Sequence, residues 1–117
     1  MTNKPRIAVQ LADTFIKNLK QLRKKYPHAP QDAQGLIDRL ALGETPGDQI
    51  PGVGYTVYKA RVTNTDTGHG KRGGYRIIYY IRTSETVILI AMYVKTAQLD
   101  ISSSEIKQLI KIYQSRG

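Results

Sequence analysis

Residues 70–80 read GKRGGYRIIYY, a basic glycine-rich loop followed directly by a β-branched and aromatic run. Glycine accepts positive φ angles and lets a partner approach the backbone closely. Isoleucine and tyrosine instead favour the half-buried surface of a sheet. The stretch therefore places two loop cations, Lys71 and Arg72, beside Arg76 near the start of a strand. Such an arrangement suits a partner that is rich in phosphate.

The segments around this stretch predict an antiparallel meander of three strands. Tyr55–Val62 alternates in the manner of a strand with two different faces. Tyr75–Arg82 is the next predicted strand, and Thr83–Glu85 makes a tight turn. Val87–Lys95 is almost continuously apolar, which is typical of a central strand that is covered on both faces.

The N-terminal part predicts a short strand and a helical hairpin. Ile7–Leu11 is the strand, and Asp13 is the predicted N-cap of a first helix that ends before Pro27. A second helix is expected from about Pro30, with Gly43 as its C-terminal stop. Both helices carry an apolar stripe at helical spacing, so each has one side that must be buried.

The rest of the chain completes an α+β fold. Gly43–Gly54 contains several prolines and glycines and predicts an irregular connector. Ser102 and Glu105 match a capping box at the start of a last helix. We therefore predict a single domain over residues 1–117 with the order β-α-α-β-β-β-α. The helical hairpin covers the antiparallel meander sheet, and the C-terminal helix closes one end.

Composition points to a polyanionic partner. The 117 residues contain 18 Lys and Arg against 9 Asp and Glu, a net charge of +9. This excess favours nucleic acid or an acidic protein as the partner; the alternative is that the lysines serve solubility alone. The sequence has no cysteine, so disulfides and thiolate metal sites are excluded. It has no apolar run long enough to span a bilayer and no signal-peptide pattern, so we expect a cytoplasmic protein without a cofactor.

Four cations on the predicted strands are the strongest candidates for chemistry. Lys59 and Arg61 are two residues apart and point to the same side of their strand. Arg76 lies on the neighbouring strand, and Lys95 ends the next one. If the strands form a meander, these charges repel one another unless an anion joins them. Their convergence is a hypothesis, since an exposed cationic face would have the same pattern.

Aromatic and histidine side chains offer further candidates. Eight tyrosines accompany one phenylalanine and no tryptophan, and most of the tyrosines suit a core or an edge. Tyr93 shares a strand face with Lys95 and is the preferred candidate for stacking on an unpaired base. His69, in the glycine loop, is either an exposed side chain or a general base. The sequence contains no HExxH helix and no Walker loop.

Three segments together resemble the RelE/ParE toxin superfamily, most closely the HigB-like branch of RelE. They are YKARV at 58–62, GKRGGYRIIYY at 70–80, and YVK at 93–95 before the Ser102 helix. The resemblance extends from about Ile7 to the last helix. It implies a toxin of a type II toxin–antitoxin pair, neutralised by an antitoxin protein, that cuts mRNA on the ribosome without a metal ion.

The resemblance also implies roles for individual residues. Lys59, Arg61 and Arg76 match active-site positions of the family, with Lys59 as general base and Arg76 as the ligand of the phosphate oxygens in the transition state. Lys71 and Arg72 are expected to bind the flanking phosphates. The family's tyrosine near the start of the final helix is replaced here by Ser102, and we substitute Lys95 as proton donor by its position.

These departures leave two alternatives to the nuclease. The first is a gyrase-inhibiting toxin of the ParE kind, which needs no catalytic row of cations. The second is a non-catalytic RNA-binding module, which would account for the charge and the tyrosines without chemistry.

Overall fold

A computed structural model describes residues 6–68, 74–95 and 100–116. The predicted element order is confirmed, with one additional short strand. That strand, β2, lies in the segment predicted to be an irregular connector. The elements are β1 (Ala8–Leu11), α1 (Asp13–Lys25), α2 (Ala29–Ala41), β2 (Asp48–Gln49), β3 (Val57–Val62), β4 (Tyr75–Thr83), β5 (Thr86–Val94) and α3 (Ser103–Arg116).

The sheet has the strand order β1-β5-β4-β3-β2. Strands β3, β4 and β5 pair antiparallel, as the meander prediction required, whereas β1 pairs with β5 in parallel. Strand β5 is therefore flanked on both sides, and all residues of Val87–Val94 are buried. This confirms the central strand predicted from its continuous apolar run.

Strand β3 is shorter than predicted, because it begins at Val57 and not at Tyr55. The chain reaches it through Gly52 and Gly54, both with positive φ angles of 80° and 87°. These glycine turns bring Tyr55 across the sheet edge, where its ring packs edge-on against Tyr80 with centroids 5.4 Å apart. Tyr55 therefore packs against the sheet although it is outside β3.

Helices cover both faces of the sheet. On one face, α1 and α2 pack through residues such as Phe15 and Leu40 against Ile77 of β4. On the other face, α3 packs through Ile106 and Ile110. The last helix therefore covers the second face and does not close an end, because β4 and β5 are apolar on both sides. Burying each such side chain contributes about 1.5–3 kcal/mol. Within the described ranges, no helix has the length and apolar character needed to cross a membrane.

The observed helix ends test the capping and stop signals that the sequence predicted. Ala12 is the N-cap of α1 and makes no side-chain cap hydrogen bond, so the predicted capping role of Asp13 is wrong. Asp13 lies in the first turn, where its charge favours the positive end of the helix dipole. Gly43 follows α2 with a φ of 90°, as expected of a C-terminal stop.

The predicted capping box at α3 is confirmed in half of its hydrogen bonds. The Glu105 amide donates to Ser102 Oγ at 3.1 Å. The Ser102 hydroxyl donates to Glu105 Oε1 at 3.2 Å, so the carboxylate binds the serine side chain and not its backbone amide. The start of α3 is therefore fixed three residues after Asp100.

A polar contact fastens the start of α2 to the turn after β3. The His28 amide donates to Asp66 Oδ2 at 2.8 Å, and His28 Nδ1 lies 2.7 Å from Asp66 Oδ1. One residue earlier, the Thr65 amide donates to Asp32 of α2 at 3.1 Å. These bonds hold the helical hairpin to the turn from which the basic loop departs.

We expect replacement of His28 by glutamine to make stability less dependent on pH. The hydrogen bond between the two side chains raises the pKa of His28 and lowers the pKa of Asp66. The His28 contribution is complete below its ordinary pKa of 6.5 and is lost as pH rises through the raised value. The Asp66 contribution is present above 3.8 and is lost as pH falls through the lowered value. The wild-type protein should therefore exceed the variant in stability most between pH 3.8 and pH 6.5, the ordinary pKa values of Asp66 and His28.

The measurement is urea unfolding of both proteins in buffers within this pH window and on either side of it. The variant keeps every other titratable group, so the difference between the two free energies of unfolding isolates the pair. A difference that stays constant from acid to alkaline pH would contradict the assignment.

Candidate active site

Three predicted cations lie on the α3-facing side of the sheet. Arg61 of β3 is directly opposite Arg76 of β4, and Arg76 is opposite Tyr93 of β5. Residues paired in this way share a face, and Lys59 shares it too because it is two residues from Arg61. The structure thus brings three of the four predicted strand cations onto one face, and we call Lys59, Arg61 and Arg76 the cationic row. Their catalytic roles stay predictions.

Arg76 is the buried member of this row. Only 3% of its surface is exposed, whereas Arg61 is exposed and Lys59 is intermediate. Its Nη1 donates to the carbonyl oxygen of Tyr75 at 3.2 Å. A buried guanidinium costs solvation energy unless its donors are satisfied, so its position is held by the surrounding strands. Arg76 therefore presents a fixed charge beside two more mobile ones.

Asp100 completes the site, and the sequence analysis missed it. The Tyr93 hydroxyl donates to Asp100 Oδ1 at 2.8 Å. On the other carboxylate oxygen, Lys59 Nζ lies 3.3 Å from Oδ2. Asp100 thus connects β3 with β5 just before α3. The available signal was an isolated acid between the last strand and the last helix, in a chain with twice as many basic as acidic residues.

The charges around Asp100 determine which groups are ionised. The hydrogen bond from Tyr93 is the largest cause that lowers the pKa of Asp100, and Lys59 and the charge of Lys95 add to it. Burial raises the pKa of Tyr93 to about 12, and its bond to Asp100 acts in the same direction. At neutral pH the site therefore contains a carboxylate held by a neutral phenol and a lysine.

The other predicted site residues differ in their exposure and in whether the structure describes them. Tyr93 is only 4% exposed and packs in the cluster that contains Ile106 and Ile110, which leaves little surface on which a base could stack. Its observed contact is the bond to Asp100. Lys95 is exposed directly after β5. The predicted binders Lys71 and Arg72, together with His69, lie outside the described residues.

The chemistry available on this face is that of cations, carboxylates and phenols. Asp48 lies directly opposite Lys59 and adds a second carboxylate to Asp100. Tyr80 adds a second phenol to Tyr93. The described ranges contain no group of three or more histidine or acidic side chains that could hold a metal ion. A row of cations on a rigid strand suits an anion such as a phosphodiester, because guanidinium groups bind its oxygens in a planar fork. The site therefore has the character of an anion-binding face.

The fold and this face together define a small basic α+β domain with a cationic sheet face. A family model described as the RelE toxin of the RelE / RelB toxin-antitoxin system matches residues 36–115, and the chain belongs to this family. The match begins within α2 and includes the cationic row and Asp100. A search of curated proteins found no match.

Family membership confirms the resemblance to RelE toxins. It also implies an antitoxin protein as partner. The matched residues begin later than the resemblance, which extended from about Ile7, and the HigB-like branch stays a prediction.

Proposed function

We propose that this RelE-family toxin is a ribosome-dependent endoribonuclease that cuts mRNA without a metal ion and so inhibits translation in the cytoplasm. The observation that carries the proposal is the cationic row, in which exposed Arg61 lies directly opposite buried Arg76. Like charges directly opposite each other on a sheet are unfavourable, and a bound anion offsets this cost. A phosphate between the two arginines removes the repulsion between them. The transition state has more negative charge on its oxygens than the bound substrate, so the arginines stabilise it more.

The reaction needs one base, one acid and charge stabilisation. The ribose 2′-hydroxyl attacks the adjacent phosphorus and gives its proton to the Lys59 amine. The Asp100 carboxylate, 3.3 Å away, stabilises the ammonium group that forms. Arg61 and Arg76 bind the non-bridging oxygens of the pentacoordinate phosphorane. The 5′ oxygen then leaves with a proton from Lys95, which gives a 2′,3′-cyclic phosphate and a 5′-hydroxyl end.

Mapping of mRNA ends after incubation with translating ribosomes tests the proposal. We expect new 5′-hydroxyl ends at defined positions within codons, and cyclic phosphate on the upstream fragments. Intact mRNA accompanied by DNA damage in expressing cells would contradict it in favour of a gyrase inhibitor. RNA binding without new ends would instead indicate a non-catalytic module.

We expect substitution of Asp100 by asparagine to lower the rate of the cleavage step by roughly tenfold to hundredfold, within the range of general acid–base catalysis. The amide keeps the shape of the side chain but no longer stabilises the ammonium group of Lys59. RNA binding should be unchanged or tighter, because a negative charge has been removed. Single-turnover cleavage on ribosomes separates the rate from the affinity.

Tyr93→Phe is the matched control for this prediction. It removes the 2.8 Å hydrogen bond to Asp100 and leaves the carboxylate in place beside Lys59. The loss in rate should therefore be smaller than for Asp100→Asn. Cleavage by the asparagine variant at the wild-type rate would show that Asp100 has no part in the reaction.

A further inference from the structure

A groove lies between α2 and the outer edge of β3. It consists of two cavities of about 360 and 240 Å³, whose walls share Arg39, Pro46 and Arg61. Strand β2 pairs with β3 only at Tyr58 and Lys59, so the edge of β3 beyond them opens into the groove. We call this the α2–β3 groove. Arg61 lines this groove at the open edge of β3 and also belongs to the cationic row on the α3-facing side, so the two sites share one residue.

The wall of the groove opposite α2 is a fixed piece of backbone. The Tyr79 hydroxyl donates to the Pro46 carbonyl oxygen at 2.6 Å. Gly47 follows with a φ of 100°, and a Cβ atom there would overlap the carbonyl oxygen of Lys59. The close approach of this turn to β3 therefore requires glycine. One wall of the groove is therefore formed by backbone, and arginine and lysine side chains form its positively charged lining.

The charge of the groove is positive on the side that faces the cationic row. Arg39, Lys59 and Arg61 line the smaller cavity, with Asp48 as the acid among its lining residues. Arg39 pairs through Nε with Glu44 at 2.9 Å, and its side chain remains 50% exposed. The guanidinium is thus oriented by one partner and still accessible to a second.

We infer that the α2–β3 groove binds an RNA backbone phosphate next to the scissile one, and that Arg39 is the residue that contacts it. The inference rests on the proposed function, since it places the scissile phosphate on the cationic row. A strand held at Arg61 has its neighbouring phosphate within reach of the groove. The cavities have the size of a small ligand, which suits a phosphate and its ribose.

The test compares Arg39→Ala with Arg82→Ala, a control that removes one exposed arginine at the far end of β4. The probe is a short 2′-O-methyl RNA, which has no free 2′-hydroxyl and cannot be cleaved by the proposed reaction. Fluorescence anisotropy over a salt series should show a roughly fivefold to tenfold loss of affinity for Arg39→Ala. The slope of log K against log salt should fall by about 0.7, the value for one phosphate of a single strand. The control should keep the wild-type slope.

Glu44→Gln tests whether Arg39 acts by contacting RNA or only through its ion pair with Glu44. It breaks the contact with Arg39 but keeps the arginine, so we expect affinity at or above wild type. An equal loss in both variants would overturn the inference, because the ion pair alone would then explain it. The same variants assayed on ribosomes identify the source of the phosphate. An effect on the short RNA supports the substrate strand as the source. An effect on ribosomes alone would overturn the inference, because the phosphate would then belong to ribosomal RNA.

The inference and the proposed function can fail separately. Unchanged affinity and slope for Arg39→Ala on both probes, in a protein that cleaves mRNA, would overturn the groove alone. A loss confined to antitoxin binding would overturn it in favour of an acidic partner. Arg39-dependent RNA binding by a protein that cuts no mRNA would support the groove and contradict the nuclease.

Discussion

Replacement of Arg76 by alanine will abolish growth arrest on induced expression and lower the rate of mRNA cleavage by roughly 10²–10³-fold. This is the size of effect seen when one preorganised donor to a developing negative charge is removed. Arg76 is 3% exposed and lies opposite both Arg61 and Tyr93, so its guanidinium needs little reorganisation to meet the transition state. Growth curves and single-turnover cleavage on ribosomes measure the two effects.

Controls are needed because a buried arginine also contributes to the fold. Arg76→Lys keeps the charge but loses the planar fork, and we expect it to recover only part of the activity. Arg82→Ala removes an exposed arginine from the same strand and should remain fully toxic. Circular dichroism and urea unfolding establish whether each variant is folded. Full toxicity in a folded Arg76→Ala protein would remove Arg76 from the mechanism.

The predictable part of the fold is the part that local patterns specify. The continuous apolar run of β5 predicted a central strand, and α1 ends at Lys25, before Pro27, as predicted. Alternation along β3 and the meander placed the cationic row on one face, because side chains two residues apart point the same way. Each of these inferences needed only neighbours in sequence or consecutive strands.

The missed features depend on contacts between elements and not on local sequence patterns. Strand β2 consists of two residues, and it is a strand only because β3 lies beside it. The parallel pairing of β1 with β5 follows from the path of the helical hairpin, which no local signal specifies. Asp100 reaches Lys59 across 41 residues, and the position of α3 determines that contact.

The glycine-rich stretch at residues 70–80 combines predicted loop cations with a strand arginine. Its sequence drew attention to the loop cations Lys71 and Arg72, which lie outside the described residues. The described part of this stretch begins at Gly74, one residue before β4, and Arg76 is two residues further along. A side chain held by a sheet can be positioned for a transition state more accurately than one on a loop. The functional prediction therefore depends on how this junction is packed.

Replacement of Gly74 by alanine should destabilise the protein by about 3 kcal/mol, the upper part of the range for overpacking. A Cβ atom at this position would overlap the carbonyl oxygen of Val62 and lie 3.1 Å from the Asn64 amide nitrogen. Backbone atoms cannot rotate away as a side chain can, so β3 and β4 must separate. The separation falls beside the Arg61–Arg76 pair, and cleavage should decrease together with stability. Urea unfolding measures the first effect and ribosome cleavage the second.

Gly35→Ala is the matched control, since a Cβ atom there has no neighbour within 4 Å. Gly35 lies inside α2, so alanine should stabilise the helix by up to about 1 kcal/mol. The same substitution is thus expected to act in opposite directions at two glycines of one chain. If both variants were equally stable, β3 and β4 would not be in close contact at Gly74. Arg61 and Arg76 would then lack the fixed separation on which the proposed chemistry depends, whatever the outcome of the arginine substitutions.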